Sequence, residues 1–326
     1  MKDKRIGVLL GGVSAEREIS IKTGDAIHAA LVRKGYDAHK IYVDADIDQV
    51  LRQAPIDVAF IALHGTYGED GCTQGMLEVL GIPYTGSGVL ASALAFDKVK
   101  AKELFRLYNV PTPPYYALDL HELDRLEERH GSFGFPAFVK PRRGGSSVGA
   151  GRAGDLGELE TRCRDAAQFD RSILIERFVG GREVAVGILD GRALGAVEIV
   201  PGGRFYDYKS KYQKGQSNYH FPARLSPTRY KGVLNLAERA AHCLGVTGAA
   251  RVDMLVTEGE NEYVLEVNTL PGMTETSLLP MIAKGAGYDF DSLCEAILIR
   301  AGLGMQPSAT EGLSRASASE LEPAHS

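Results

Sequence analysis

Cysteine is scarce in this chain. Cys72, Cys163, Cys243 and Cys294 are the four among 326 residues, and they lie far apart with no C-x-x-C pair. That spacing argues against a thiolate metal site and a disulfide framework, and it fits a reducing compartment. Strong charge is lacking as well: a formal net charge of −5 gives no overall pull toward nucleic acid or an anionic membrane. No stretch approaches the roughly 18 continuous apolar residues of a membrane span. The opening "MKDKRIGVLLGGVSA" puts charges before an apolar run, as a signal peptide does. The run is short and acidic residues follow at once, so it reads as a first β-strand. The expectation is a cytoplasmic protein with neither a membrane nor a nucleic-acid partner. Several catalytic signatures are also missing: there is no G-x-S-x-G elbow, no H-E-x-x-H pair, no Rossmann G-x-G-x-x-G and no Walker A loop of the form G-x-x-x-x-G-K-S/T.

What is present is the composition of a globular protein, 44% hydrophobic and 24% charged, in a chain long enough for two or three domains. Residues 1 to about 90 alternate strand and helix signals. "IGVLL", "DAHKIYV" and "IDVAFIAL" read as strands, with "SIKTGDAIHAALVRKG" and "GCTQGMLEVLG" as helices. That order predicts a parallel sheet with ligands beyond the carboxyl ends of its strands. One helix is expected from about Val89 to Tyr108, then a proline-rich break, "NVPTPPYY". Further on come a strand "FPAFVK", a glycine-rich loop "PRRGGSSVGAG", and a strand "SILIERF". The runs "VAVGILDG" and "ALGAVEIV" then fit an antiparallel sheet. The stretch "GGRFYDYKSKYQKGQSNYHFPARLSP" is long for a loop and suits a lid. From about Gln306 the chain is small and polar, and reads as a disordered tail.

The segment "LLGGVSAEREIS", residues 9–20, has the strand, glycines and helix start of a phosphate cradle. Its helix nevertheless opens with Glu16, Arg17 and Glu18, and carboxylates repel phosphate. The loop therefore faces something else, and "HGTYGEDG", after the third strand, should share its rim. The clearest chemistry lies in "ARVDMLVTEGENEYVLEVNTLPG", which reads as a hairpin. A four-residue connection would set Thr257 opposite Glu262, Asp253 opposite Glu266 and Arg251 opposite Asn268. Arg251, Asp253, Glu266 and Asn268 would then share a face, with Val252, Val264, Leu265 and Val267 elsewhere. Opposed carboxylates need positive charge between them. Two readings stay open: Mg²⁺ on hard oxygen ligands, or a solvated face with Arg251 bridging the acids. Lys140 ends a strand before "PRRGGSSVG", whose backbone N–H groups could approach phosphate. Lys98 and Lys211, taken singly, are ordinary surface lysines.

Together, "LLGGVSAEREIS", "ALHGTYGEDG", "GIPYTGSGVLASALAFDK", "VKPRRGGSSVG", "FYDYKSKY", "RVDMLV" and "LEVNTLPGMTETSLLP" resemble the D-alanine–D-alanine ligases, a branch of the ATP-grasp enzymes. They stand in family order from about residue 5 to 304. The resemblance implies an α/β fold, α+β in its later parts, with ATP-grasp architecture. Residues 1–97 would form an N-terminal parallel α/β substrate domain, 98–180 a central domain, 181–305 a C-terminal catalytic domain, and 306–326 the tail. It implies that Lys98 and Lys140 hold ATP phosphates and Lys211 the γ-phosphate. Glu176, Arg177, Phe178 and Val179 would frame adenine and Glu183 the ribose, with Ser147 and Leu255 also on the nucleotide. Asp253, Glu266 and Asn268 would carry two Mg²⁺ ions, with Mn²⁺ able to replace them. Glu16 would take the first D-alanine's ammonium with His64 nearby; Arg251 and the Gly272 amide would form the oxyanion site. Ser277 and Leu278 would take the second D-alanine, while Ser146 and Tyr212 would link to Glu16 and close the lid. A homodimer is implied as well. Gly144 stands where an acidic residue is common in the family, which would loosen the network around Tyr212 and Ser146. Tyr212 favours an amine over a hydroxyl acceptor. The alternatives are a ligase using D-lactate or D-serine as acceptor, and a nucleotide-binding regulator without turnover.

Overall fold

A computed structural model of the chain describes residues 1–145, 148–201, 217–259, 261–274 and 276–304. Three sheets organise them. The first is parallel, with β1 (Arg5–Gly11) between β2 (Asp37–Val43) and β3 (Val58–Ile61). The continuous apolar run of β1 fits a strand buried on both faces, as parallel sheets require. Ile6, Val8 and Leu10 pack on Ile27 and Leu31 of α1 (Arg17–Arg33). On the other face Leu9 and Ile61 meet Leu51 of α2 (Ile47–Gln53) and Leu77 of α3 (Cys72–Leu80). Gly7 lets Ile56 pack close against β1, since a Cβ there would sit 2.7 Å from Ile56 Cδ1 and push that side chain aside.

The expected long helix after this unit is two helices, α4 (Val89–Phe96) and α5 (Lys98–Leu107). Asp97 breaks the run: its backbone is extended, and its carboxylate accepts from the N–H groups of Val99 and Lys100. That is an N-cap, which satisfies orphan donors of the second helix. The same carboxylate holds Arg142 at 2.7 Å.

The second sheet is antiparallel, ordered β4 (Tyr115–Asp119), β7 (Ser172–Arg177), β5 (Ala137–Pro141), β6 (Gly151–Ala153). Leu118, Val139, Ile173 and Ile175 pack on Leu126 of α6 (Leu126–His130) and on Leu159 and Cys163 of α7 (Leu156–Ala166). The third sheet is also antiparallel. It runs β10 (Ser217–His220), β9 (Arg192–Pro201), β8 (Arg182–Leu189), β11 (Ala249–Val256), β12 (Glu262–Asn268). Val184, Val186, Val252, Met254 and Val264 bury one face against α8 (Pro227–Cys243) and against Ala101 and Phe105 of α5.

Packing does not follow the linear order of the chain. Residues 98–110 belong with the third sheet's core, although the second sheet follows them. Helices α9 (Leu278–Gly285) and α10 (Phe290–Leu298), at the far end, cover the first sheet through Leu279, Ala283, Leu293 and Leu298. Among the described residues, no helix is long and apolar enough to cross a membrane.

Candidate active site

The β11–β12 hairpin carries Asp253 opposite Glu266 and Arg251 opposite Asn268, in the register the alternation predicts. Near the turn the prediction fails by one residue: Val256, not Thr257, faces Glu262. The register shifts between Asp253 and Met254, a β-bulge that absorbs one extra residue on β12. That residue is Leu265. A bulge places consecutive side chains toward one side, so Leu265 lines the same cleft as Asp253, Leu255 and Glu266, contrary to the expectation that it lies elsewhere. Val252, Val264 and Val267 are buried in the core as expected.

Arg251 grips Asp253 with two hydrogen bonds, 2.7 and 2.8 Å long. The arginine therefore holds this acid, which is buried, while Arg251, Glu266 and Asn268 are partly exposed. Glu266 lies 3.7 Å from the Lys98 ammonium, which also donates to the Gly144 carbonyl at 2.6 Å. Hard oxygens from Asp253, Glu266 and Asn268 on one half-buried face fit a Mg²⁺ site, which prefers carboxylates and completes its shell with water or phosphate. Asn268 Oδ1 accepts from the Leu270 N–H at 3.1 Å, which fixes the amide's orientation.

Two clefts flank this face. The larger, about 450 Å³, lies between the second and third sheets. Its walls include Lys98, Lys140, Glu176, Arg177, Phe178, Val179, Glu183, Asp253, Leu255 and Glu266. Its ammonium groups suit phosphates, and its apolar residues Phe138, Val179, Leu255 and Leu265 suit an aromatic base. Lys140 contacts buried Glu176 at 2.7 Å. Burial works against the Lys140 charge, but Glu176 and Glu266 outweigh it and hold its pKa above the ordinary lysine value.

The second cleft, about 350 Å³, is lined by Glu16, His64, Glu69, Arg251, Asn268, Gly272, Ser277 and Leu278. Lys98, Gly144, Gly145 and Glu266 border both clefts. The loops after β1 and β3 share this rim, as their positions in the chain predict, and the Ser14 hydroxyl ties them by donating to the His64 carbonyl at 2.7 Å. Glu16 stands just before α1 without capping it. Its carboxylate faces the glycine-rich loop so closely that a Cβ on Gly145 would lie 2.7 Å from Oε2. A buried carboxylate here favours a cationic ligand.

His64 Nε2 is 3.3 Å from the Thr23 hydroxyl. Burial lowers its pKa, and Glu16 opposes this without reversing it, so the ring is neutral at pH 7. Ser277 occupies the N-cap position of α9, but its hydroxyl does not cap the helix. It accepts instead from the Thr274 N–H at 3.1 Å and lies 2.8 Å from the Thr274 hydroxyl, beside Gly272. Ser146, Ser147, Lys211 and Tyr212 lie outside the described residues.

Sequence reasoning missed Glu69. It is buried in the second cleft, its carboxylate accepting from the Gly65 N–H at 3.0 Å. Burial and the Glu16 charge push its pKa up to about 8, against the pull of Gly65, Lys98 and Arg251. Its loop was placed on the rim, but nothing in "GED" separates a buried acid from an exposed one. Lys102 was missed too, and is wholly buried behind the larger cleft.

A nucleotide-sized cleft between two antiparallel sheets, with acids and lysines where it meets a polar second cleft, defines an ATP-dependent ligase of the ATP-grasp class. The family described as D-ala D-ala ligase C-terminus matches residues 104–299, and that described as D-ala D-ala ligase N-terminus matches residues 45–87. The chain belongs to the D-alanine–D-alanine ligase family. It is 52% identical over 303 residues to a D-alanine–D-alanine ligase of Geotalea uraniireducens, covering 93% of this chain and 97% of that one. The structure of the Bacillus anthracis D-alanine–D-alanine ligase complexed with ATP is similar at TM-score 0.77 and 37% identity, covering 90% of this chain and 95% of that one. The VanG D-Ala:D-Ser ligase of Enterococcus faecalis is similar at TM-score 0.80 and 28% identity, covering 91% and 98%.

Proposed function

We propose that this chain joins two D-alanine molecules into D-alanyl-D-alanine for peptidoglycan synthesis, with ATP cleaved to ADP and phosphate. The observation that carries the reading is the junction itself. The cleft suited to ATP opens into the one holding Glu16 and Arg251, across Lys98, Gly144, Gly145 and Glu266. A carboxylate is a poor electrophile, and phosphorylation gives it a leaving group. Such a transfer needs its two clefts joined where the γ-phosphate ends.

Glu16 binds the ammonium of the first D-alanine and aims its carboxylate at the junction. Lys98 and Lys140 offset the phosphate charges, while Glu176 to Val179, Glu183 and Leu255 hold the nucleoside end, with Ser147 also serving the nucleotide by the family resemblance. Two Mg²⁺ ions on Asp253, Glu266 and Asn268, or Mn²⁺ in their place, supply further positive charge to the phosphates when bound. The amine of the second D-alanine, held through its carboxylate by Ser277 and Leu278, attacks the acyl phosphate carbon, and phosphate leaves. Arg251 and the Gly272 N–H stabilise the oxyanion of that step. By the family resemblance Lys211 serves the γ-phosphate, and Tyr212 and Ser146 serve to exclude water that would hydrolyse the acyl phosphate. The chain works as a cytoplasmic homodimer, and light scattering at micromolar protein checks the dimer.

Phosphate release with Mg-ATP and D-alanine, L-alanine, D-serine or D-lactate, with products identified by mass, tests the reading. Dipeptide from D-alanine is expected. A product formed only with D-serine or D-lactate as second substrate would reassign the acceptor, and no dipeptide would overturn the proposal.

A further inference from the structure

Lys102 is among the largest wholly buried side chains of the described residues. Placing an ammonium there is costly unless partners offset the lost water. Its Nζ lies 2.5 Å from Glu176 Oε1 and also donates to the Thr112 hydroxyl, with the Tyr115 ring centroid 5.6 Å away. The Thr112 hydroxyl passes the chain on, donating to the Val264 carbonyl of β12 at 2.8 Å. The other oxygen of Glu176 contacts Lys140 at 2.7 Å, and both of those residues line the larger cleft. A line of polar contacts thus runs from the metal-candidate hairpin, through the "NVPTPPYY" segment and α5, to the lysine facing the nucleotide. The same segment is stitched to both grasping sheets by backbone bonds. The Val264 N–H donates to the Pro111 carbonyl at 2.8 Å, and the Arg177 N–H donates to Pro114 at 2.9 Å.

The charges decide what this arrangement does. Glu176 and Lys140 alone would offset each other's charge at this part of the cleft wall. Lys102 gives Glu176 a second ammonium partner on its buried side, and the exposed end of that trio is Lys140. Burial lowers the Lys102 pKa while Glu176 counters it, and the combined pull of both lysines keeps Glu176 ionised despite its burial. A plain structural pair would need one lysine, whereas this one engages both carboxylate oxygens.

We propose that Lys102 is a positioning residue of the ATP site: it holds and neutralises Glu176 so that Lys140 presents its charge to the nucleotide phosphates. This rests on the larger cleft being the ATP site. The test is steady-state kinetics of the full-length enzyme carrying Lys102→Met, Lys140→Met, Glu176→Gln and the double variant Lys102→Met with Glu176→Gln. Removing a charge this close should raise the KM for Mg-ATP roughly 10- to 100-fold in Lys102→Met, as a Coulomb effect at intermediate dielectric. The KM for D-alanine should stay within about twofold, since the second cleft is untouched. The double variant removes both charges of a buried pair, which proteins tolerate better than removal of one. It should fold even if Lys102→Met does not, and it should recover an ATP KM close to that of Glu176→Gln alone. An unchanged ATP KM in Lys102→Met overturns the proposal. So does an equal rise in both KM values, or a double variant that folds but binds ATP far more weakly than Glu176→Gln. If Lys140→Met leaves the ATP KM intact, the assignment of the cleft falls, and the role of Lys102 falls with it. If Lys140→Met weakens ATP and Lys102→Met does not, the cleft stands and only Lys102 is wrongly assigned.

Discussion

Two acids line the second cleft, Glu16 and Glu69; the Glu16 charge bears on Glu69, and environment separates their roles. Glu16 is the cation-binding partner in the proposed reaction, so Glu16→Gln should raise the D-alanine KM by roughly 10- to 100-fold, the size of a lost charge-assisted hydrogen bond. ATP affinity, measured by calorimetry without D-alanine, should change little; an equal loss of both would remove Glu16 from the amino-acid site. Glu69 is the opposite case. Its folded form keeps a proton up to about 8, whereas its ordinary value is 4.5. Between those values the folded protein binds more protons than the unfolded chain, so stability falls as pH rises through the window. The Tm of the unliganded protein should therefore drop by roughly 5 °C from pH 5 to 8.5, the size of a change of about 4 kcal/mol in a chain of this length. Glu69→Gln should flatten that slope. A slope identical in the variant would show that other groups set it.

At the scale of elements, the β11–β12 hairpin shows what alternation can and cannot reveal. Period-2 patterning, with Asp253 and Glu266 on opposite strands, was enough to bring those acids together on paper. The bulge at Leu265 leaves no local mark, because Leu is as apolar as the valines around it, so the turn end was misread by one residue. The split at Asp97 was hidden for a different reason: helical periodicity continues across it, and only the capping geometry reveals the stop. Buried charges such as Lys102 and Glu69 were illegible because their burial depends on elements distant in sequence. The bulge also makes a prediction. Deleting Leu265 forces either Val264 out of the core or Glu266 off the site face, since a one-residue slip flips side chains. Activity should fall by more than about 100-fold if metal and phosphate positioning is lost. Leu265→Gly keeps the extra residue and should cost mainly ATP affinity. Similar activity in the two variants would deny the bulge its role.

For the whole molecule, the division that matters is by packing. The first sheet is closed on one side by helices from the other end of the chain, with Leu279, Ala283, Leu293 and Leu298 against Ile6, Val8 and Leu10. Arg33 holds Asp291 through two hydrogen bonds of 2.8 and 2.6 Å, and Glu295 takes Lys34 at 2.8 Å and Tyr36 at 2.9 Å. Helix α9 begins right after Ser277 and joins the first and third sheets: Leu279 and Ala283 pack with the first sheet's core, while Leu278 and Ile282 pack on Ala185, Val197 and Ile199 of the third. The second sheet, with Lys140 and Glu176, buries its own core and is joined elsewhere, through residues 110–114. A fragment of residues 1–97 would keep α1 to α4 but expose the apolar face that α9 and α10 cover. Losing four or more buried aliphatic contacts costs roughly 1.5–3 kcal/mol per side chain, comparable to the whole stability of a small domain. The fragment should show no cooperative thermal transition by circular dichroism, and joining residues 273–304 to it through a flexible linker should restore one. A cooperative melt from residues 1–97 alone would mean that the first sheet is an independent domain and that the two ends of the chain merely touch.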